Sequence, residues 1–217
     1  MPEFIQHNRI RLALHTLRAA DGPALLLLHG LGERTPYALP GEYADWPGPV
    51  HGLDFTGHGE STLPRGGGYT CEMLMADADT ALAHLGRATV VGRGLGAYIA
   101  LMIAGGRPER TRGEIHRDGP GLAGGGSGST SSFIPFADMS QLAPPDPLAI
   151  VELAMDIRPP DYAAVFVRQA VQFSGVSTPI SICAWERPAW LAGLISEFGV
   201  EVTTLPKALA LYARETA

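Results

Sequence analysis

A continuous run of apolar residues early in the chain is the feature that most constrains the fold. Ala24–Leu28 reads ALLLL, without the alternation of apolar and polar residues that a strand with one solvated face shows. We therefore predict a central strand over Ala24–His29, in a mostly parallel sheet that helices cover on both faces. Six further segments complete a prediction of about seven strands: Arg9–Leu17, Val50–Phe55, Thr89–Val91, Glu114–His116, Ile180–Ala184 and Val200–Leu205.

Helix-length segments separate these strands, which predicts an α/β fold. The predicted helices are Glu72–Leu85, Leu95–Ala104, Asp146–Ile157, Pro160–Phe173, Pro188–Phe198 and Ala208–Glu215. The second of these is apolar nearly all round and should be buried on most sides. Gly119–Ser132 is too rich in glycine and serine to form a regular element. We predict a single domain over residues 1–217, in which residues 119–175 form a short helical cap or lid.

Composition excludes several classes of protein. The 217 residues carry a net charge of −6, which disfavours a nucleic-acid partner. The sequence has no apolar leader and no apolar stretch of membrane-spanning length, so we expect a cytoplasmic protein without membrane association. Cys71 and Cys183 are far apart and are expected to be small buried hydrophobes. No metal site or cofactor is expected, and the oligomeric state is not predicted.

Three glycine-rich turns follow predicted strands. They are His29-Gly30-Leu31-Gly32, the segment 54–61 (DFTGHGES) and the segment 89–97 (TVVGRGLGA). In this order they resemble the α/β-hydrolase superfamily. The resemblance implies the α/β-hydrolase fold, with a mostly parallel central sheet flanked by helices. It also implies that the backbone N–H of Leu31 points at the place where an oxyanion forms, and that segment 89–97 is the nucleophile elbow, G-x-S-x-G.

The chain departs from this family at all three catalytic positions. Gly94 stands where the elbow carries its serine, and a glycine cannot attack a carbonyl. All 7 histidines lie in the first 116 residues, whereas the family places its base after the last strand, where Ala208 or Leu209 stands here. At the acid position the chain has Arg187 or a gap, and the nearby Glu186 would have no histidine to orient. The resemblance therefore implies a degenerate triad without ordinary hydrolase activity.

A binding module is one interpretation that follows, with a small apolar or acyl-like ligand, or a protein, as its partner. The candidate oxyanion or pocket residues are His29, Gly30, Leu31, Arg93, Gly94, Leu95 and Asp118. Apolar residues of the cap could line a pocket, although ordinary packing of the cap helices onto the core is the favoured explanation for them: Phe133, Ile134, Phe136, Met139, Val165, Phe166 and Phe173.

Two alternatives invoke other chemistry. A hydrolase or lyase could use the HG turn for oxyanion binding, with Asp118 and a histidine among His29, His58 and His116 as unconventional groups. In this family, however, the first two of those histidines support the two glycine turns, and Asp118 could simply cap a turn.

The second alternative is dinucleotide binding, because Gly92, Gly94 and Ala97 satisfy the pattern G-x-G-x-x-A between a strand and a helix. Glu114 or Asp118 would then be the acid that binds the ribose. Against this interpretation, the two other glycine turns precede this one in the order of the hydrolases.

Overall fold

A mixed sheet lies at the centre of the structure, a computed structural model that describes residues 1–123 and 143–214. These residues form eight strands: β1 (Glu3–His7), β2 (Ile10–Arg18), β3 (Ala24–Leu28), β4 (Val50–Leu53), β5 (Ala88–Arg93), β6 (Thr111–Arg117), β7 (Ile180–Ile182) and β8 (Val200–Val202). They also form six α-helices: α1 (Cys71–Leu85), α2 (Leu95–Gly106), α3 (Pro147–Ala154), α4 (Pro160–Phe173), α5 (Ala189–Ala192) and α6 (Leu205–Arg214).

The strand order is β1-β2-β4-β3-β5-β6-β7-β8. Strand β2 is antiparallel to both of its neighbours, and all other neighbouring strands are parallel. In the register, Leu28 lies beside both Leu53 of β4 and Gly92 of β5. Because these strands end together, the three glycine-rich turns that follow them meet at one edge of the sheet. The predicted α/β fold with a mostly parallel central sheet is confirmed.

Helices cover both faces, which explains the run ALLLL. Leu26 and Leu28 point into a core with α1, α2 and α4, whereas Leu25 and Leu27 point into a second core with α6. All five residues of β3 are buried. Every residue of α2 from Leu95 to Gly105 is also buried, as its apolar sequence predicts.

The two ends of the sheet differ from the prediction. Strand β1 was not predicted, because Ile5 is its sole buried residue and an edge strand with one inward side chain has a weak pattern. At the other end, α5 stops at Ala192 although a helix was predicted to Phe198. Gly193 caps it, and the following residues form turns. Strand β8 ends at Val202, and α6 begins at Leu205, earlier than predicted.

The predicted cap segment is described in part. Helix α3 begins after its N-cap Asp146, whose carboxylate accepts the Leu148 N–H, and α4 has the predicted bounds. Helix α4 packs closely on α2, where Phe166 lies against Gly105. Residues 124–142, which include most of the glycine- and serine-rich stretch, lie outside the described part of the chain. That the segment acts as a lid stays a prediction.

Tyr212 ties α6 to the sheet and provides a test of this arrangement. Its hydroxyl lies 2.9 Å from Ser181 Oγ and 3.0 Å from the Thr178 carbonyl oxygen, and the side chain is fully buried. We expect Tyr212→Phe to lower the free energy of unfolding by about 1 to 2 kcal/mol, because buried acceptors lose their partner. The exposed Tyr37→Phe is the control and should change it by less than about 0.5 kcal/mol. Urea unfolding measures both, and equal effects would contradict the assignment.

Candidate functional site

Two buried histidines support the HG turn that follows β3. The Nε2 atom of His29 accepts the Phe55 N–H at 3.1 Å, and its Nδ1–H donates to the Gly30 carbonyl oxygen at 2.8 Å. His58 acts in the same way, since its Nε2 atom accepts the Gly32 N–H at 3.2 Å. Burial lowers the pKa of His29, and burial together with the neighbouring His29 lowers the pKa of His58 to about 3. Both imidazoles are therefore neutral, and their basic nitrogens already accept hydrogen bonds.

The second turn, residues 54–61, is held by the Asp54 carboxylate. That group accepts the N–H of Thr35 at 2.8 Å and of Glu60 at 2.9 Å, and it lies 3.0 Å from the His15 ring. Ser61 donates its hydroxyl to the Asp54 carbonyl oxygen at 2.6 Å. The Asp54 carboxylate and the Ser61 hydroxyl are thus used to hold the turn.

The third turn keeps the geometry of an elbow. Gly94 has φ of 58° and ψ of −121°, a conformation that residues with a side chain rarely adopt. The flanking glycines allow close packing, because a Cβ at Gly92 would lie 2.2 Å from the Gly96 carbonyl oxygen. A Cβ at Gly96 would lie 2.4 Å from the Leu28 carbonyl oxygen of β3. The elbow therefore rests directly on the central strand.

A backbone carbonyl of the chain itself occupies the space above the elbow. The Pro120 carbonyl oxygen accepts the N–H of Leu31 at 3.0 Å and the N–H of Leu95 at 2.8 Å. These are the donors from the HG turn and from the residue after the nucleophile position, the pair that forms an oxyanion hole in this fold. A Cβ at Gly94 would lie 2.1 Å from the same oxygen. The site thus holds an internal acceptor where a reacting oxygen would lie.

The segment Asp118–Leu122, which we call the plug, is anchored on two sides of this carbonyl. On one side, the Asp118 carboxylate accepts the N–H groups of Trp185 and Glu186, each at 2.9 Å. On the other side, the buried Arg158 donates to the Gly121 carbonyl oxygen at 2.7 Å. Trp190 donates its indole N–H to the Leu122 carbonyl oxygen at 2.8 Å. These contacts hold the Pro120 carbonyl in place.

Arg93, the unusual side chain of the elbow, is paired. Its guanidinium donates to both carboxylate oxygens of Glu33 at 3.0 to 3.1 Å and to the Asp118 carbonyl oxygen at 2.9 Å. Glu33 also accepts the Gly30 N–H at 3.0 Å. Burial would raise the pKa of Glu33, but the hydrogen bonds from Arg93 and Gly30 outweigh it and lower that pKa. Arg93 thus links the elbow, the HG turn and the plug.

A cavity of about 440 Å³ opens beside the HG turn. We call it the turn cavity, and its lining includes Leu27, His29, Pro36, Pro40, Val91 and Arg93. Of the candidate residues that the sequence indicated, His29 and Arg93 line it. Leu31 and Leu95 meet at the Pro120 carbonyl instead, and Asp118 binds two backbone N–H groups.

The remaining catalytic and pocket candidates lie elsewhere. Ala208 and Leu209 belong to α6 and pack in the core with Leu25 and Leu27, on the face of the sheet opposite α2. Val165 and Phe173 are exposed on α4, whereas Phe166 is buried. The other four apolar pocket candidates, between residues 133 and 139, lie outside the described residues.

Glu114 and His116, which the two alternative functions invoked, form a buried pair inside the sheet. Glu114 Oε1 lies 3.0 Å from His116 Nε2, and neither side chain is exposed to solvent. Burial raises the pKa of Glu114 and lowers the pKa of His116 to about 3. His116 has no exposed surface and contacts the Trp190 ring edge-on, so a substrate cannot contact it in this structure.

The thiols are also shielded to different extents. Cys71 is fully buried, and this burial raises its pKa to about 12. Cys183 is partly buried rather than fully buried as expected, and burial raises its pKa to about 11. Both are free cysteines, and at neutral pH both are thiols rather than nucleophilic thiolates.

Sequence reasoning did not find the residues that close the site. Pro120 acts through its carbonyl oxygen, and Arg158 acts on other carbonyl oxygens, so neither role has a side-chain signature. The signal nearest to the plug is the sequence Asp118-Gly119-Pro120-Gly121 directly after β6, which indicated a turn.

Comparison with solved structures supports the fold. The crystal structure of a membrane phospholipase A, described as a novel bacterial virulence factor, matches 100% of this chain and 87% of that chain, with a TM-score of 0.55 and 15% identity. A hypothetical protein of Pseudomonas aeruginosa PAO1 is 25% identical over 54% of this chain and 43% of its own, with a TM-score of 0.46. An epoxide hydrolase of Vigna radiata is 20% identical over 55% of this chain and 40% of its own, with a TM-score of 0.46.

The chain thus spans less than half the length of the last two proteins. No protein-family model matches the sequence. No curated protein matches it either. The strand order and the likeness to the phospholipase over the whole chain show that the protein has the α/β-hydrolase fold.

Residues 1–123 and 143–214 contain neither a candidate metal cluster nor a candidate membrane-spanning helix. These residues contain no group of three or more His, Cys, Asp or Glu side chains that could hold a metal ion. None of the helices in the same ranges has the length and apolar character needed to cross a membrane.

The buried His58 makes stability depend on pH. The folded protein keeps His58 neutral down to about pH 3, whereas the unfolded chain binds a proton near the ordinary value of 6.5. The unfolded state therefore holds more protons below pH 6.5, and the free energy of unfolding falls as the pH is lowered toward 3. We expect His58→Gln, whose amide oxygen can still accept the Gly32 N–H, to flatten this fall. Urea unfolding between pH 7 and 4 measures it, and an unchanged slope would contradict the assignment.

Proposed function

We propose that this protein is a non-catalytic member of its fold class that binds a small apolar or acyl-like ligand in the turn cavity. The lack of catalysis is supported by the Pro120 carbonyl oxygen, which accepts both N–H groups that would stabilise an oxyanion. The binding of a ligand is supported by the turn cavity beside the HG turn.

Four features oppose the Ser-His-acid reaction. The elbow residue Gly94 has no nucleophile, and no histidine follows residue 116 to act as the base. The Asp118 carboxylate, an alternative acid, is bonded to two backbone N–H groups. Electrostatic stabilisation of an oxyanion needs free, aimed donors, and here the Leu31 and Leu95 donors are in use. An unconventional hydrolase or lyase that relies on the HG turn would require the plug to leave.

The turn cavity favours a ligand with little net charge. Its volume of about 440 Å³ lies in the range of about 300 to 1,000 Å³ that is usual for small-molecule sites. Two of its three cations already have anionic partners, since Arg93 pairs with Glu33 and Arg117 pairs with Glu42. The third, Arg34, lies over the Tyr37 ring. With an apolar wall from Leu27 and Val91, the cavity suits an aliphatic chain that ends in a carbonyl group.

Dinucleotide binding has less support than this proposal. A pyrophosphate would have to accept hydrogen bonds from the first N–H groups of α2. The Leu95 N–H donates to Pro120, and the Ala97 N–H donates to the Gly94 carbonyl oxygen at 3.0 Å. Of the two candidate ribose acids, Glu114 is fully buried in β6, and the Asp118 carboxylate accepts the backbone N–H groups of Trp185 and Glu186.

Restoring the serine provides a direct test of the blocked elbow. We expect the wild-type protein to hydrolyse 4-nitrophenyl acetate and butyrate no faster than a buffer blank. Gly94→Ser should gain no activity and no acyl-enzyme burst. It should also lower the melting temperature, because its Cβ collides with the Pro120 carbonyl oxygen.

The control for backbone strain is Gly175→Ser. Gly175 has a positive φ of 72°, and a Cβ there would meet nothing within 4 Å. Gly175→Ser should lower the melting temperature less than Gly94→Ser does. Saturable ester turnover by the wild type, or a burst in Gly94→Ser, would refute the non-catalytic proposal. Equal melting temperatures for the two variants would refute the collision with the plug.

Ligand binding is tested by filling the turn cavity. Hexanamide and octanamide serve as probes in isothermal titration calorimetry, since they carry an acyl group on an apolar chain without charge. Pro36→Trp places an indole at the exposed wall of the cavity and should weaken their binding about tenfold, a loss of about 1.4 kcal/mol. Ala38→Trp, in the same loop but outside the lining, is the control and should bind like the wild type. Absence of binding to the wild type, or equal losses in both variants, would refute this site.

A further inference from the structure

A second cavity lies along the same edge of the sheet, where β6, β7 and β8 end. We call it the edge crevice, and it is lined in part by Arg117, Trp185, Arg187, Glu201, Thr203 and Lys207. Its volume is about 580 Å³. The carboxyl ends of parallel strands are the usual place for ligands in α/β folds. The edge crevice occupies the part of this edge that is furthest from the HG turn.

Positive charge is concentrated in the edge crevice. Arg117, Arg187 and Lys207 line it together with a single acidic side chain, Glu201. Arg117 pairs with Glu42, but Arg187 and Lys207 have no ion pair with any residue in the described ranges. The chain as a whole has 22 acidic and 16 basic side chains, so this local excess of cations opposes the overall charge. Two unpaired cations facing one cavity favour an anionic ligand.

The exposed indole of Trp185 adds a second requirement on the ligand of the edge crevice. Trp185 is 91% exposed although tryptophan is usually buried, and it is a lining residue of the edge crevice. The Asp118 carboxylate accepts its backbone N–H at 2.9 Å, so its main chain is fixed. An accessible indole beside two cations offers a face on which a planar group can stack. Thr203 adds a hydroxyl group that can donate to an oxyanion.

We propose that the edge crevice binds a small organic anion that carries an oxyanion group on a planar ring. Arg187 and Lys207 bind the oxyanion by charge-assisted hydrogen bonds, and Trp185 stacks on the ring. The oxyanion group is a phosphate or a carboxylate, since the same donors serve both. Arg117 lines both cavities, but the proposed ligand-binding residues Arg187, Lys207 and Trp185 line the edge crevice and not the turn cavity.

Tryptophan fluorescence of the full chain tests the site. Trp46 and Trp190 are buried, so quenching of the accessible emission by acrylamide reports on Trp185. The probes are phenyl phosphate and benzoate, which carry both an oxyanion group and a ring. Inorganic phosphate supplies the oxyanion alone, and benzyl alcohol supplies the ring without the charge. We expect phenyl phosphate or benzoate to protect Trp185 in a saturable manner that weakens with added salt. Whichever of the two binds more tightly identifies the oxyanion group. Inorganic phosphate should bind more weakly, and benzyl alcohol should not protect.

Variants separate a built site from general electrostatics. Lys207→Gln and Arg187→Gln should each raise the dissociation constant of the ring-bearing probe about tenfold, the effect of losing one hydrogen bond to a charged group. Arg9→Gln removes an exposed cation at the turn between β1 and β2, at the other end of the sheet, and should have no effect. Trp185→Ala, followed by calorimetry, should weaken the ring-bearing probe but not inorganic phosphate.

Four results would overturn the proposal. They are the lack of saturable protection by either ring-bearing probe, equal weakening in Arg9→Gln, equal protection by benzyl alcohol, and unchanged affinity in both cation variants. None of these results bears on the turn cavity, because the variants lie outside its lining and the uncharged amides probe it separately. Failure of the edge crevice and failure of the proposed function are thus distinguishable.

Discussion

One carbonyl oxygen, that of Pro120, organises the edge of the sheet at which this fold carries out its chemistry. Strands β3 and β5 are neighbours that end together, so the N–H groups of Leu31 and Leu95 point at the same place. A buried N–H group without an acceptor costs about 1 to 3 kcal/mol, so some acceptor has to be supplied there. In a hydrolase, water or a substrate supplies it. Here the chain supplies its own, and the same contact that satisfies the two donors closes the site to a reacting oxygen.

The plug also gives a structural reason for Gly94. A side chain at this position would collide with Pro120, so the bare elbow and the internal acceptor require each other. The anchors of the plug come from distant parts of the chain: Arg158 precedes α4, and Trp190 lies in α5. Asp118, which the sequence offered as an alternative acid, instead holds the plug to the loop after β7. Groups around the elbow are therefore used to hold the backbone, and the turn cavity and the edge crevice lie along the same edge of the sheet.

The sequence predicted the centre of this molecule better than its ends or its site. The run Ala24–Leu28 and the apolar helix that follows Gly94 have strong patterns because both faces or nearly all sides of them are buried. Strand β1 escaped notice because its pattern rests on one buried side chain, Ile5. The supporting roles of His29 and His58 followed from the family resemblance, and the structure shows the hydrogen bonds that carry them. The plug could not be predicted, since a backbone carbonyl is present in every residue and its direction depends on tertiary contacts.

Hydrogen-bond scalar couplings measured by NMR on the isotopically labelled protein test the central claim most directly. A coupling between the Pro120 carbonyl carbon and an amide nitrogen appears when that N–H donates to that oxygen. The account predicts couplings from Pro120 to the amides of both Leu31 and Leu95, together with slow hydrogen exchange of those two amides. Absence of both couplings, with the two amides exchanging as fast as those of exposed loops, would show that the donors are free and would contradict the account.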